Sequence, residues 1–208
     1  MRYLKGFLIY LFLFYAGNLS AQISSFIGIS LTPGFSSTRS VNASYAASYS
    51  GGVDYILWEN PGWYLKTGLE FQSRNSGVRE IPKYFEVDPE DIFTPVDMKY
   101  GELNVLIPLQ GFFPLLKKKD NAMLLAAGME IMITLEERFV HDVYGKASVN
   151  GEDINKAFKT GIMLGAGYQR ELSDILFLNI YPSVNLDIKA DRPFTSFELT
   201  IELLYGVY

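Results

Sequence analysis

Apolar and polar residues alternate along most of this chain. In 196–205, Phe197, Leu199, Ile201, Leu203 and Tyr205 fall on one face, and Ser196, Glu198, Thr200 and Glu202 on the other. A period of two predicts a β-strand with two chemically different sides. In 175–188, Leu176, Leu178, Ile180, Val184, Leu186 and Ile188 oppose Asn179, Ser183, Asn185 and Asp187. In 157–170, Phe158, Ile162, Leu164, Ala166 and Tyr168 oppose Lys159, Gly161, Gly165, Gly167 and Gln169. In 122–136, the run from Met123 through Leu125, Met129 and Ile131 to Leu135 opposes Gly128, Glu130, Thr134 and Glu136. Leu103, Val105, Ile107 and Leu109 oppose Glu102, Asn104 and Gln110, while Trp63, Leu65, Leu69 and Phe71 oppose Lys66, Gly68, Glu70 and Gln72. Weaker segments at 26–34 and 45–58 bring the count to eight strands, many longer than the five or six residues usual in soluble sheets.

The predicted connections alternate as well. Residues 59–62, 114–121 and 171–174 form short turns, and 35–44, 75–97, 139–156 and 189–193 form the loops of the opposite end. An even strand number with short turns at one end and longer loops at the other predicts an all-β fold: an eight-stranded antiparallel up-and-down transmembrane β-barrel of the outer-membrane type.

A soluble lipocalin-like barrel also has eight strands but turns its apolar face inward. Three features put the apolar face outward here. Gly68, Gly128, Gly161, Gly165 and Gly167 lie on the polar face, where a narrow lumen needs small side chains. The apolar faces are too bulky to fit inside a small barrel. Aromatic residues gather at the turn side, with Trp58 and Trp63 around the first turn, Phe112 and Phe113 before the second, and Tyr205 and Tyr208 at the end, as an interfacial girdle requires. The last strand must then pair with the first, because lipid tolerates no open sheet edge.

Composition narrows the function. The 208 residues carry 18 basic and 23 acidic side chains, net −5, which disfavours nucleic acid as a partner. The absence of cysteine excludes disulfides, thiolate metal sites and a cysteine nucleophile. "MRYLKG", the short apolar run "FLIYLFLFYAG" and "NLSAQ" make the three-part pattern of a secretory signal peptide over 1–21, cut after Ala21, leaving 22–208 as the barrel domain. The apolar run is short for a membrane-spanning helix, which needs about 20 residues.

Three segments carry a family resemblance: "GWYLKTGLEFQSRNSG" (62–77), "YGELNVLIPLQGFF" (100–113) and "LLAAGMEIMI" (124–133). Through Gly68-Leu69-Glu70-Phe71, Ile107-Pro108-Leu109 and Ala127-Gly128 the chain resembles the PorT-like outer-membrane β-barrel proteins of Bacteroidetes. The resemblance implies the fold and a place in the outer membrane of a Gram-negative bacterium. Some members assist protein secretion or gliding, and no catalytic residues come with it.

Candidate chemistry is sparse. His141, the single histidine, sits in the loop 139–156 with no recognisable nucleophile beside it, so an ordinary loop histidine is expected over a general base. Lys66, Glu70, Glu102, Glu130, Lys159, Asp187, Glu198 and Glu202 should project into the lumen, either as acid–base or proton-relay groups or, preferably, as an ion-paired plug. "GIMLGAGYQ" (161–169) is glycine-rich but opens no helix and is not a nucleotide loop. "DPED" (88–91) and "NGEDIN" (150–155) lack the spacing of an EF-hand and read as solvated acids, and Lys117 to Lys119 as a solvated turn. No catalytic, cofactor or metal site is expected. Loop 75–97 holds two basic and six acidic residues, and 139–156 two and three, with Tyr84, Phe85 and Phe93 between the charges of the first. An acidic rim of this kind suits a cationic or protein partner. The expected function is a structural or interaction barrel working through these loops; a transport pore and a lipid-modifying membrane enzyme are the alternatives.

Overall fold

The computed structural model describes residues 25–40, 42–60, 62–80, 95–141, 145–150, 158–190 and 192–207. The signal segment 1–21 and its cut lie outside them, as do 88–91 and 151–155 of the two acidic loop motifs.

Eight long strands close on themselves. They are β1 (Ser25–Thr38), β2 (Ser44–Asn60), β3 (Trp63–Glu80), β4 (Val96–Lys118), β5 (Asn121–His141), β7 (Phe158–Ser173), β8 (Leu176–Lys189) and β9 (Phe194–Val207), with a short β6 (Gly145–Asn150) between β5 and β7. Each pairs antiparallel with its neighbour, β5 pairs with β7, and β1 pairs with β9 over Ser25↔Val207 to Thr38↔Phe194. The last strand thus closes on the first, and no barrel strand is left with a bare edge in the hydrocarbon.

The period-two pattern decides which side faces out. Ile29, Leu31, Phe35, Leu69, Phe71, Met129, Leu164 and Phe197 are exposed on the outer wall, while Lys66, Gln72, Arg74, Glu102 and Glu202 are buried. A water-soluble protein shows the reverse distribution. Here the polar side chains face the interior, and the wall has lipid as its solvent.

Close packing of adjacent strands explains the inward glycines. A Cβ on Gly68 would lie 2.6 Å from the Val53 carbonyl oxygen and 2.6 Å from Asp54 Oδ1. One on Gly167 would overlap the Ile180 carbonyl oxygen and Tyr181 Cβ. Prolines interrupt three ladders. Paired register lapses at Thr32–Pro33 between β1 and β9, at Ile107–Pro108 between β3 and β4, and at Tyr181–Pro182 between β7 and β8, because proline has no N–H to donate.

The strands outrun the sequence boundaries at the loop end. β1 reaches Thr38 within the expected loop 35–44, and β3 and β4 run to Glu80 and from Val96 within 75–97. β5 ends at His141, and β6 occupies 145–150 of the expected loop 139–156, paired with Glu136–His141 of β5. Loop-like composition there hid strands that continue beyond the 9–11 residues needed to cross a bilayer. Among the described residues one side of the rim, β3 to β6, therefore stands tall, while on the other side β1 stops at Thr38 and β8 at Lys189. At the opposite end, Lys119 takes φ 47° in the two-residue turn closed by Lys118↔Asn121.

Two expected orientations are corrected. Phe112 points into the lumen with 0% exposure and stacks on Tyr64 at 4.9 Å; of the expected girdle, Phe113 and Tyr205 do face outward. Glu136 does not continue the inward row of Glu130 and Thr134. A bulge between the Leu103↔Glu136 and Asn104↔Thr134 pairs sets it on the face of Leu103 and turns Glu137 inward, since one extra residue reverses the alternation.

Candidate functional site

The lumen is where the sequence's charged residues meet. Alternation on β3 stacks Tyr64, Lys66, Glu70, Gln72 and Arg74 along one inward row, and all are buried. Facing strands bring carboxylates of very different sequence number to each cation.

Toward the turn end, Lys66 Nζ donates to Glu202 Oε1 at 2.7 Å and to the Tyr181 hydroxyl at 3.3 Å, and lies 3.6 Å from Asp54 Oδ1. Its ammonium sits 5.2 Å from the ring centre of Phe112 and 5.8 Å from that of Tyr181, a cation–π arrangement that is stronger for a buried cation than for an exposed one. Asn179 donates to the other Glu202 oxygen at 2.8 Å and to the Tyr64 hydroxyl at 3.0 Å.

Toward the loop end, Arg74 grips Asp187 with two bonds of 2.7 and 3.0 Å and reaches Glu102 at 3.0 Å. Its guanidinium lies 4.4 Å from the Phe194 ring centre. Glu102 also accepts from Lys159, from the Tyr100 hydroxyl at 2.6 Å and from Asn104 at 3.4 Å. Glu137 is 3.6 Å from Lys159. Asp187 additionally accepts the Phe194 backbone N–H at 3.0 Å, tying this network to the start of β9. Between the two centres, Ser50 donates to Glu70 at 3.0 Å and Asn185 to Glu198 at 2.6 Å, and Glu130 is buried.

Apolar side chains stop the lumen at both ends. Phe26, Ile56, Tyr64, Phe112, Leu124 and Leu204 belong to a buried cluster at the turn end, with Phe177 packed against it. Val78, Met98, Tyr100, Phe139 and Phe194 form another at the loop end. Above the second, the Arg192 guanidinium lies 5.1 Å from the ring centre of Tyr100 and 5.3 Å from that of Phe139.

The expected lumen residues Lys66, Glu70, Glu102, Glu130, Lys159, Asp187 and Glu202 are all buried, and Glu198 points inward with them. Asp54, Arg74, Tyr100 and Glu137 were not singled out. Arg74 and Asp54 continue the inward parity of β3 and β2, which is the signal that finds them. Glu137 has none, because the bulge creates its position. His141 is the last residue of β5, opposite Gly145. Residues 161–169 lie within β7, so the glycines belong to a strand. Lys117 and Lys118 end β4, and Lys117 to Lys119 are exposed. Among the described residues no group of three histidine, aspartate or glutamate side chains is placed to hold a metal ion. Arg39, Arg79 and Lys99 are exposed around the described rim; Arg79 pairs across the strands with Asp97, and Arg39 donates to the Asp187 carbonyl oxygen. The acids that make loop 75–97 negative, Glu86, Asp88, Glu90 and Asp91, lie outside the described residues.

No protein-family model matches the chain, and no curated protein matches it in sequence. Its architecture is shared widely. Neisserial surface protein A superposes with a TM-score of 0.55 at 10% identity, covering 89% of this chain and 98% of that one. Ail, the attachment invasion locus protein of Yersinia pestis, gives a TM-score of 0.44 at 14% identity over 88% of this chain and all of that one. The N-terminal β-barrel domain of OprF from Pseudomonas aeruginosa gives 0.36 at 10% identity, over 86% and 97%. Together with an exposed apolar wall and an ion-paired, capped interior, the likeness to the Neisserial protein establishes the fold as an eight-stranded β-barrel of the outer-membrane type.

Proposed function

We propose that this chain is a non-enzymatic interaction protein of the outer membrane of a Gram-negative bacterium, anchored by its barrel and recognising a protein partner through the loop-side rim at 75–97 and 139–156. The observation that carries it is the division of labour in the fold. The wall meets lipid, the lumen is occupied by its own ion pairs and capped at both ends, and among the described residues the rim is built up on the side of β3 to β6. Surface loops on a rigid frame are where recognition is ordinarily placed. Membership of the PorT-like group, with a role in supporting protein secretion, is part of the same proposal and rests on the resemblance of 62–77, 100–113 and 124–133.

Deleting 81–94 tests it. Val78 and Met98 belong to the loop-end cluster and must stay. The shortened protein should keep its heat-modifiable migration on gels and lose the partners that the full chain recovers from native membranes. Equal recovery of the same partners without the segment overturns the role of that loop. Planar bilayers should show no large steady conductance; finding one promotes the pore, and acyl transfer or lipid hydrolysis by the purified protein promotes the enzyme.

A further inference from the structure

The outer wall is not uniformly convex. Across β2, β1, β9, β8 and β7 an apolar groove of about 1020 Å³ opens on the lipid side. Register explains it. Phe35 pairs with Ala47 and Phe197, Phe197 with Val184, and Val184 with Leu164, so these side chains form one outward row. The next row toward the turn end runs from Tyr49 through Pro33, Leu199 and Pro182. Rings of proline and the methyl groups of Ala47 and Ala166 keep the surface low, whereas Phe35 and Leu164 stand about three-fifths exposed (61% and 60%). The groove follows the two rows across the strands, and on β1 and β2 it lies near their loop-side ends.

We propose that this groove is a binding site for an acyl chain of a membrane lipid in the loop-side leaflet. It is continuous with the wall that lipid already covers, and its lining is almost wholly apolar. In hydrocarbon there is no hydrophobic gain on moving an apolar group from lipid to protein, so selective binding must come from closer packing. A hollow between tall aromatic and leucine side chains supplies such contacts on several sides of one chain, which a convex wall does not. A second copy fits poorly. A two-fold interface sets the same patch against itself, and hollow against hollow encloses a void whose lining loses its contacts.

The test uses the folded full chain in nanodiscs of dipalmitoylphosphatidylcholine, released for native mass spectrometry. The wild type should appear as a monomer retaining one phospholipid. Ala166→Trp and Ala47→Trp fill the groove from opposite ends and should lose the adduct. Leu109→Trp, on β4 across the barrel from the groove, should retain it. All three point outward, and heat-modifiable migration verifies that each barrel is formed. No adduct on the wild type, equal adducts on all four proteins, or a lipid-free dimer would each overturn the proposal.

Discussion

The two cation centres of the lumen are built on the same strand, eight residues apart, yet they are organised differently. Lys66 is a point charge in an aromatic box. It has one short ion pair, to Glu202, and a second carboxylate at 3.6 Å. Arg74 is a planar fork that satisfies Asp187 with two bonds while sharing Glu102 with Lys159. The lysine centre has one cation that several acceptors converge on. The arginine centre has one carboxylate, Glu102, that two cations and a tyrosine hydroxyl converge on. In each, the shared group is the weak point, because removing it strands several buried partners at once.

The largest loss should follow Glu102→Leu, which leaves Arg74 and Lys159 without their common carboxylate. Urea unfolding of the barrel refolded in lipid vesicles should show a loss of about 5 kcal/mol, the upper end of what breaking a buried pair costs. A loss under about 1 kcal/mol would mean that Asp187 and Glu137 suffice for both cations.

Lys66→Met should cost about 3 kcal/mol in the same measurement, less than Glu102→Leu because Glu202 keeps its bond from Asn179. The triple variant Asp54→Asn/Lys66→Met/Glu202→Gln should recover most of that loss, since no unpaired charge remains. If the triple variant is as unstable as the single, the aromatic stacking rather than the ion pair holds this layer.

Gly68→Ala should be milder, about 1–2 kcal/mol. The added methyl group presses on Asp54 and on the neighbouring strand without removing a charge. A loss that vanishes in an Asp54→Asn background would assign the effect to the lysine centre alone.

The smallest effect is a coupling. Combining Lys66→Met with Glu102→Leu should give the sum of the single losses within about 0.5 kcal/mol, because the two residues share no direct partner. A larger departure would show that Glu70, Glu130 and Glu198, which lie between them, join the centres into one network.

How much of this was legible can be followed residue by residue. Strand alternation placed Lys66, Glu70, Glu102 and Glu202 inside and Leu69, Ile201 and Leu203 outside, because a pleated strand in a barrel has only two sides and lipid accepts only one kind. Phe112 misled, because an aromatic residue near a turn suits both an interfacial girdle and a lumen cap. β6 was hidden by charged, glycine-containing sequence, which fits a strand in water as well as a loop.

The sequence by itself determined the number of strands in the barrel wall, the outward apolar band, the closure of last strand on first and the polarity of the lumen. Each follows from local alternation or from the requirement that backbone groups be satisfied in lipid. Only the tertiary structure decided which carboxylate meets which cation. Lys66 and Glu202 are 136 positions apart, and Arg74 and Asp187 are 113 apart, so their pairing depends on the stagger between strands around the ring. The bulge that turns Glu137 inward and the two rows that leave a groove at Pro33 and Pro182 depend on it too, because register is a property of paired strands and no single strand encodes it.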